Sequence, residues 1–97
     1  MRNYDEYLIN SLKDKEEATA YLNAALEAYL EDKDAQALMS AFENLARAKY
    51  PMTELSKRLG IKSQNLYRIF DNKVNPNFAI IFSLIDELGF KLEVKHT

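Results

Sequence analysis

The stretch from Pro51 to Phe70 constrains the fold more than any other part of this sequence. Its aliphatic side chains recur at the spacing of two short helices, and they are Leu55, Leu59, Ile61, Leu66 and Ile69. Two short helices that cross steeply need a small residue where they meet and a residue that tolerates positive φ in the turn between them. Ser56 and Gly60 occupy those two positions. The stretch therefore predicts a helix-turn-helix at about residues 51–70.

Two longer helices are predicted ahead of that stretch. Asp14 followed by Glu17 is a capping pattern, and it opens a helix. This helix carries one apolar stripe at helical spacing, made of Ala18, Tyr21, Leu22, Ala25, Leu26, Tyr29 and Leu30. The charged run 31–34 interrupts the stripe and offers N-caps for a second helix, which Pro51 ends. Residues 4–8 precede the periodicity, and we expect them to be extended or to form a loose turn.

The C-terminal part is predicted to add one helix and one strand. Asn75 and Pro76 match an N-cap followed by a proline at the first helical position, and Gly89 matches the end of that helix. Beyond it, apolar residues alternate with charged ones, which indicates a half-buried strand with Phe90, Leu92 and Val94 on its inner side. A lone strand must pair with the N-terminal segment of its own chain or with another subunit. The predicted fold is all-α, with five helices and a short C-terminal β-strand.

Composition and charge exclude several classes of protein. The 97 residues include no cysteine, which removes disulfides and thiolate metal sites, and no apolar run approaches the roughly 20 residues of a membrane span. His96 lies next to the C-terminus, and the acidic residues of the N-terminal third lie at helix ends, so we expect no enzyme, no metal site and no cofactor. We expect a cytoplasmic protein with a single domain over residues 1–97.

The charge is distributed unevenly along the chain. Residues 1–34 hold nine acidic and four basic residues, whereas residues 44–73 hold seven basic and two acidic ones. An acidic N-terminal third followed by a basic middle indicates two surfaces with different partners.

Specific residues also carry a resemblance to a known family. The stretch from about Ala35 to Gly89 resembles the lambda-repressor-like (Xre/Cro) helix-turn-helix family. The whole chain resembles one branch of it, the probable addiction-module antidote proteins, in the segments Tyr4-Asp-Glu-Tyr-Leu8, Leu12-Lys-Asp-Lys-Glu-Glu-Ala18, Tyr21-Leu-Asn-Ala-Ala-Leu26, Leu66-Tyr67 and Leu88-Gly-Phe-Lys-Leu-Glu-Val94. The resemblance implies a five-helix DNA-binding domain with an acidic helical extension over residues 1–33. It also implies an antitoxin that neutralises a RelE-like ribonuclease toxin, encoded next to it, and represses their shared operon.

In such a fold, the second helix of the motif lies in the major groove of double-stranded operator DNA. This implies that bases are contacted by Ser63, Gln64 and Arg68, with Tyr67 beside them. Phosphate contacts are expected from Lys62, Asn65, Asn72 and Lys73. Relatives commonly cap this helix with Ser or Thr at position 62, so here we expect Ser63 to be the cap. Many relatives contact phosphate through a Gln near position 52, where Met52 cannot donate, so Thr53 is the expected substitute.

The toxin is expected to bind the acidic N-terminal third, because RelE-like toxins are typically basic. The predicted contacts are Tyr4, Asp5, Glu6, Tyr7 and Leu8. The alternative is that these charges only cap and solubilise the first helices. We also predict a homodimer, because one short helix-turn-helix offers little groove contact. Its interface would contain Phe90, Leu92 and Val94, or the exposed part of the preceding helix.

Two other functions remain open from the sequence. One is a plain transcriptional regulator of the same superfamily, for example one derived from a phage, without a toxin partner. The other is a protein-binding adaptor that has lost DNA binding, for which Met52 and the overall acidity are the only support.

Overall fold

The structure, a computed structural model, describes residues 5–97. That part of the chain contains no β-strand, and its six α-helices are α1 (Glu6–Ser11), α2 (Lys15–Asp32), α3 (Ala35–Lys49), α4 (Met52–Leu59), α5 (Ser63–Phe70) and α6 (Phe78–Glu87). The all-α class is therefore confirmed, whereas the predicted count of five helices and the terminal strand are wrong. None of the helices within residues 5–97 has both the length and the apolarity that crossing a membrane requires.

Helix α1 lies where the sequence predicted an extended segment or a loose turn. The carboxylate of Asp5 caps it by accepting a hydrogen bond from the backbone N–H of Leu8 at 3.0 Å. The helix packs against α3, with Leu8 half-buried against the core and Leu12 buried in it. A helix of six residues is too short to be stable alone or to show a repeated apolar stripe. The prediction failed because packing against the rest of the chain stabilises this short helix, and a repeated apolar pattern does not.

Helices α2 and α3 begin and end close to the predicted positions. Asp14 accepts a hydrogen bond from the N–H of Glu17 at 3.0 Å, and Asp34 accepts one from the N–H of Ala37 at 3.1 Å. Each aspartate satisfies one of the N–H groups that a helix start leaves without a partner. Between the two helices, Lys33 adopts a left-handed conformation with φ 59°. Local capping was therefore sufficient to predict these two boundaries.

The core is built around α3, which packs against α1, α2, α4 and α5. Phe42 and Ala46 on its inner face are 1% and 0% exposed. The side-chain amide of Asn44 also donates a hydrogen bond to the hydroxyl oxygen of Tyr21 at 3.0 Å, which ties α3 to α2. Helix α3 therefore supplies the surface on which the two short helices α4 and α5 are held.

Helix α6 begins two residues later than predicted. Its N-cap is Asn77, whose side chain accepts a hydrogen bond from the N–H of Ile80 at 2.9 Å, so Asn75 and Pro76 precede the helix. Both asparagines are good caps by sequence, so the local pattern does not decide between them. At the other end, Gly89 adopts a φ of 86° just beyond the helix, as its position predicted.

The tail over residues 90–97 has no regular secondary structure. Phe90 is half-buried against the core, and every residue after it is exposed. Residues 90–93 line a groove together with Thr19, Leu22, Asn23 and Leu26 of α2, so the tail runs beside α2 of its own chain. The alternation of apolar and charged residues predicted a strand wrongly, because residues 5–97 offer no strand for it to pair with.

Candidate nucleic-acid interface

Helices α4 and α5 pack against each other and are joined by a turn over residues 60–62. Gly60 has a φ of 69°, and a Cβ placed there would meet no atom within 4 Å. The need for glycine is therefore conformational rather than steric. The N–H of Ile61 donates to the carbonyl of Ser56 at 3.0 Å, and the N–H of Gly60 donates to that of Lys57 at 3.1 Å. These bonds end α4 with the left-handed turn that the sequence predicted.

Ser56 connects the two short helices through a hydrogen bond. Its side chain is buried, and its hydroxyl donates to the carbonyl of Thr53 at 2.9 Å. The same oxygen lies 2.9 Å from the hydroxyl oxygen of Ser63 on α5. Because the Ser56 hydroxyl has one proton and gives it to Thr53, Ser63 must be the donor in the second bond. Ser63 therefore retains only acceptor capacity towards any further partner.

The expected capping role of Ser63 is wrong. Ser63 is the first residue of α5, and Lys62 is the N-cap residue without a side-chain hydrogen bond to the helix. The Ser63 hydroxyl faces α4 instead of its own helix start. Its partner Ser56 lies seven residues earlier in the sequence, so no local capping pattern reveals this contact.

Helix α5 separates buried anchors from exposed polar side chains. The buried residues are Leu66 and Ile69, both predicted from the sequence, and Phe70. The exposed residues within the helix are Gln64, Asn65 and Arg68. Lys62 and Lys73 are exposed just beyond its two ends, and Asn72 is exposed beside Lys73 with a φ of 58°. Each of these side chains has hydrogen-bond donors, and the exposed carboxylate of Asp71 lies beside Asn72 at the C-cap of α5.

Tyr67 differs from the other predicted contact residues because it packs against α3. The residue is half-buried, and its ring centroid lies 5.9 Å from the guanidinium carbon of Arg47. The Nε of Arg47 also donates to a carboxylate oxygen of Glu43 at 3.0 Å, and Glu43 is buried. A guanidinium over an aromatic face is an attractive contact, so Arg47 helps to hold Tyr67 and α5 in place. The sequence analysis missed this cluster because its members come from two different helices.

The starts of α4 and α5 differ from those of the other helices within residues 5–97. Four helices have an Asp or Asn side chain bonded to the first turn, namely Asp5, Asp14, Asp34 and Asn77. Helices α4 and α5 follow Pro51 and Lys62, and neither residue makes a side-chain capping bond. Backbone N–H groups at such helix starts can donate hydrogen bonds to phosphate oxygens, and a carboxylate cap would repel the phosphate.

Met52 and Thr53, the two positions considered for phosphate contact at the start of α4, differ in their exposure. Met52 is only 5% exposed, so its side chain belongs to the core rather than to the surface. Thr53, the predicted substitute, is exposed in the first turn of α4. Among the nearby cations, Arg58 pairs with Glu54 at 3.1 Å and with Glu87 at 3.7 Å. Its charge is therefore largely compensated within the chain.

The residues predicted to bind the toxin fall into three groups. Tyr4 lies outside the described residues. Asp5 is the N-cap of α1, and Leu8 is half-buried against the core, so both have a structural role. Glu6 and Tyr7 are exposed, and Tyr7 is 87% exposed. Capping thus accounts for Asp5, while Glu6 and Tyr7 remain accessible to a partner.

Large apolar side chains are exposed at both the tail and α6. Leu92 is 51% and Val94 is 96% exposed, whereas Phe90 contacts the core. On α6, Phe78 and Phe82 are 81% and 54% exposed. Helix α6 is apolar on more than one side, and only one of its sides can face the core. Within residues 5–97, no three His, Asp or Glu side chains are grouped to hold a metal ion.

Comparison with known proteins identifies the family of this chain. A family model described as probable addiction module antidote protein matches residues 3–96. An uncharacterized protein of Haemophilus influenzae is 27% identical over 86 residues, which cover 89% of this chain and 84% of that protein. No solved structure matches this chain. Because the family model spans almost the whole sequence, the chain belongs to the probable addiction module antidote family.

Proposed function

We propose that this chain is the antitoxin of a type II toxin–antitoxin module, which neutralises a RelE-like ribonuclease toxin and binds operator DNA to repress its own operon. The observation that carries the proposal is the family match over residues 3–96, because an antidote implies a toxin partner. The surface formed by α4 and α5 supports the second activity. The two activities use different parts of the chain, so each can be tested separately.

Binding to DNA is supported by the chemistry of α5 and its flanks. In a helix-turn-helix the second helix enters the major groove with its first residues towards the base edges. Gln64 and Arg68 are exposed there, and these residue types pair bidentately with adenine and guanine. Ser63 can only accept a hydrogen bond, because its proton is given to Ser56. Lys62 and Lys73, at the two ends of α5, are suited to the phosphate backbone.

Four alanine variants test this assignment against an operator selected from random sequence. Gln64→Ala and Arg68→Ala should each lose about 1–3 kcal/mol of discrimination at one base pair. Lys62→Ala and Lys73→Ala should weaken binding to all sequences alike and reduce the salt slope by about one unit each. Arg58→Ala is the matched control, because Arg58 is an exposed cation that already pairs with Glu54 and Glu87. If all four variants bind as the wild type does, α5 is not the reading helix.

Binding of the toxin is supported by the acidic, partly apolar surface of the N-terminal region. RelE-like toxins act on ribosome-bound RNA and are typically basic, so complementary charge would speed their association with an acidic partner. Exposed acidic residues extend from α1 along α2, and they are Glu6, Glu16, Glu17, Glu27, Glu31 and Asp32. Tyr7 offers an exposed aromatic ring on α1, next to Glu6 in the sequence.

Substitution is a better test of the toxin surface than truncation. Leu12 is buried in the core and α1 packs against α3, so deleting residues 1–12 would damage the fold itself. The double variant Glu6→Lys, Tyr7→Ala should instead remain folded and bind the operator, but should rescue cells poorly from the co-expressed toxin. Arg68→Ala should show the reverse pattern. Glu93→Lys, on the exposed tail, is the charge-matched control. Full rescue by the double variant would mean that the toxin docks elsewhere.

A plain transcriptional regulator without a toxin is the second candidate, because the surface of α4 and α5 would serve it equally well. The neighbouring gene separates the two functions, since an antitoxin requires a small basic protein encoded beside it. The adaptor hypothesis loses its main support, because Met52 is a core residue and its identity says little about phosphate contact.

A further inference from the structure

Helix α6 is apolar on its outer side as well as on the side that faces the core. Leu84 and Ile85 are buried, whereas Phe78 and Phe82 are 81% and 54% exposed on the surface. The two rings lie one helical turn apart, with centroids separated by 6.0 Å and planes inclined by 18°. Two adjacent exposed aromatic side chains are costly in water, so this surface favours a partner.

The chemistry around the two rings argues for a second copy of this chain as the partner. No residue between Lys73 and Asp86 is charged, and the exposed neighbours of the rings are Asn75, Asn77, Ala79 and Ser83. An uncharged surface offers no cation to phosphates, and it does not complement a basic toxin. Two copies of it can meet without like-charge repulsion. By contrast, Leu92 and Val94 on the tail are separated by charged residues.

The shape of the outer side is also suited to pairing with itself. Phe78 and Phe82 form one raised row along α6, at positions i and i+4. Ala79 and Ser83 form the adjacent row, and their small side chains leave a groove beside the rings. In a two-fold dimer the same surface contacts itself, so the rings of each copy can fill the groove of the other.

We propose that α6 pairs with α6 of a second copy and that Phe78, Ala79, Phe82 and Ser83 form the centre of this homodimer interface. The inference adds to the proposed function the partner surface that binding to a two-fold operator requires. With about 200 Å² of surface for each phenylalanine, the exposed parts of the two rings amount to about 270 Å² per copy. Stable interfaces bury about 800 Å² per partner, so the rings supply about a third of that area.

Sedimentation velocity of the full chain, from low micromolar to near-millimolar concentration, tests the interface. Phe78→Glu and Phe82→Glu should each raise the dimer dissociation constant by about tenfold or more, because a desolvated aromatic anchor is lost and a charge is introduced. Both positions are exposed, so the fold should be preserved, which circular dichroism checks. Leu30→Glu is the matched control, since Leu30 is 67% exposed on α2. It should leave the dissociation constant unchanged.

Further variants distinguish specific packing between two copies of α6 from non-specific hydrophobic association. Ala79→Leu adds apolar surface but fills the groove, so it should weaken the dimer, and a stronger dimer would overturn the proposed packing. The chain has no cysteine, so single cysteines can be placed without background. Ala79→Cys or Ser83→Cys should form a disulfide between copies under oxidation, which requires Cα atoms within about 7 Å. Asn23→Cys on α2 should not, and a failure of both α6 cysteines would also overturn the inference.

The remaining outcomes separate this inference from the proposed function. If Leu92→Glu dissociates the dimer and Phe82→Glu does not, the homodimer stands and α6 is not its interface. If Phe82→Glu abolishes co-purification with the toxin but not self-association, α6 serves the toxin and the inference is wrong. A wild-type chain that stays monomeric at every concentration overturns the dimer itself. Toxin neutralisation and operator binding are measured in separate assays, so a failure of the dimer is distinguished from a failure of the proposed function.

Discussion

Replacing Gly60 by alanine isolates the energetic contribution of one turn. Gly60 has φ 69° and ψ 30°, and an added Cβ would meet no atom within 4 Å. The steric contribution is therefore absent, and the left-handed conformation costs a residue with a Cβ about 1–2 kcal/mol. Alanine also reduces the conformational entropy of the unfolded chain, and this offsets about 0.4–1 kcal/mol of that cost. The net loss in the free energy of unfolding should be about 1 kcal/mol.

Urea titration followed by far-ultraviolet circular dichroism measures this loss. The midpoint should fall without a change in slope, and a loss of 1 kcal/mol should lower the melting temperature by about 4–8 °C in a chain of this size. All samples need the same protein concentration, because self-association would add stability. Gly60→Asn should lower the free energy of unfolding by less than Gly60→Ala does, because asparagine tolerates the left-handed region better. No loss, or a loss of several kcal/mol, would refute the conformational argument.

Two further changes test the hydrogen bonds that define the ends and contacts of helices. Asn77→Ala should lower the free energy of unfolding by about 1 kcal/mol, because it removes the side-chain cap of α6. Asn75→Ala should leave that free energy almost unchanged. Thermal melts of both variants measure the difference, and a larger loss for Asn75→Ala would contradict the cap assignment. Ser56→Ala removes a buried hydroxyl with two hydrogen bonds, each of which contributes about 0.5–1.5 kcal/mol. A double-mutant cycle with Ser63→Ala should reveal a coupling energy between them, and strictly additive losses would mean that the bond between α4 and α5 contributes nothing.

The elements predicted correctly depend on short-range chemistry. Asp14 and Asp34 cap α2 and α3 through N–H groups three residues ahead of them, so four consecutive residues contain the necessary information. Gly60 adopts the positive φ that its position demanded. The anchors of α5 are buried because apolar residues at helical spacing share one side of a helix.

The errors share a different cause. Helix α1 has only six residues, and its packing against α3 stabilises it in a way that no local pattern displays. The tail alternates like a strand but has no partner strand within residues 5–97. In α6, apolar residues occur on several sides, and the sequence could not indicate which of them would face water. Each error concerns a contact with residues distant in the chain.

The candidate site shows the same division. Sequence alone determined which residue types lie along α5, and the helical period was enough to leave Gln64, Asn65 and Arg68 opposite the buried anchors. Only the tertiary structure decided that Tyr67 contacts Arg47, that Ser63 bonds to Ser56 and that Phe78 and Phe82 are exposed. Caps, turns and helical faces depend on residues within one or two turns of each other, so the sequence displays them directly. The inward side of an apolar helix and the partners of a buried polar group are selected by the packing of the whole chain, and only the folded structure contains that information.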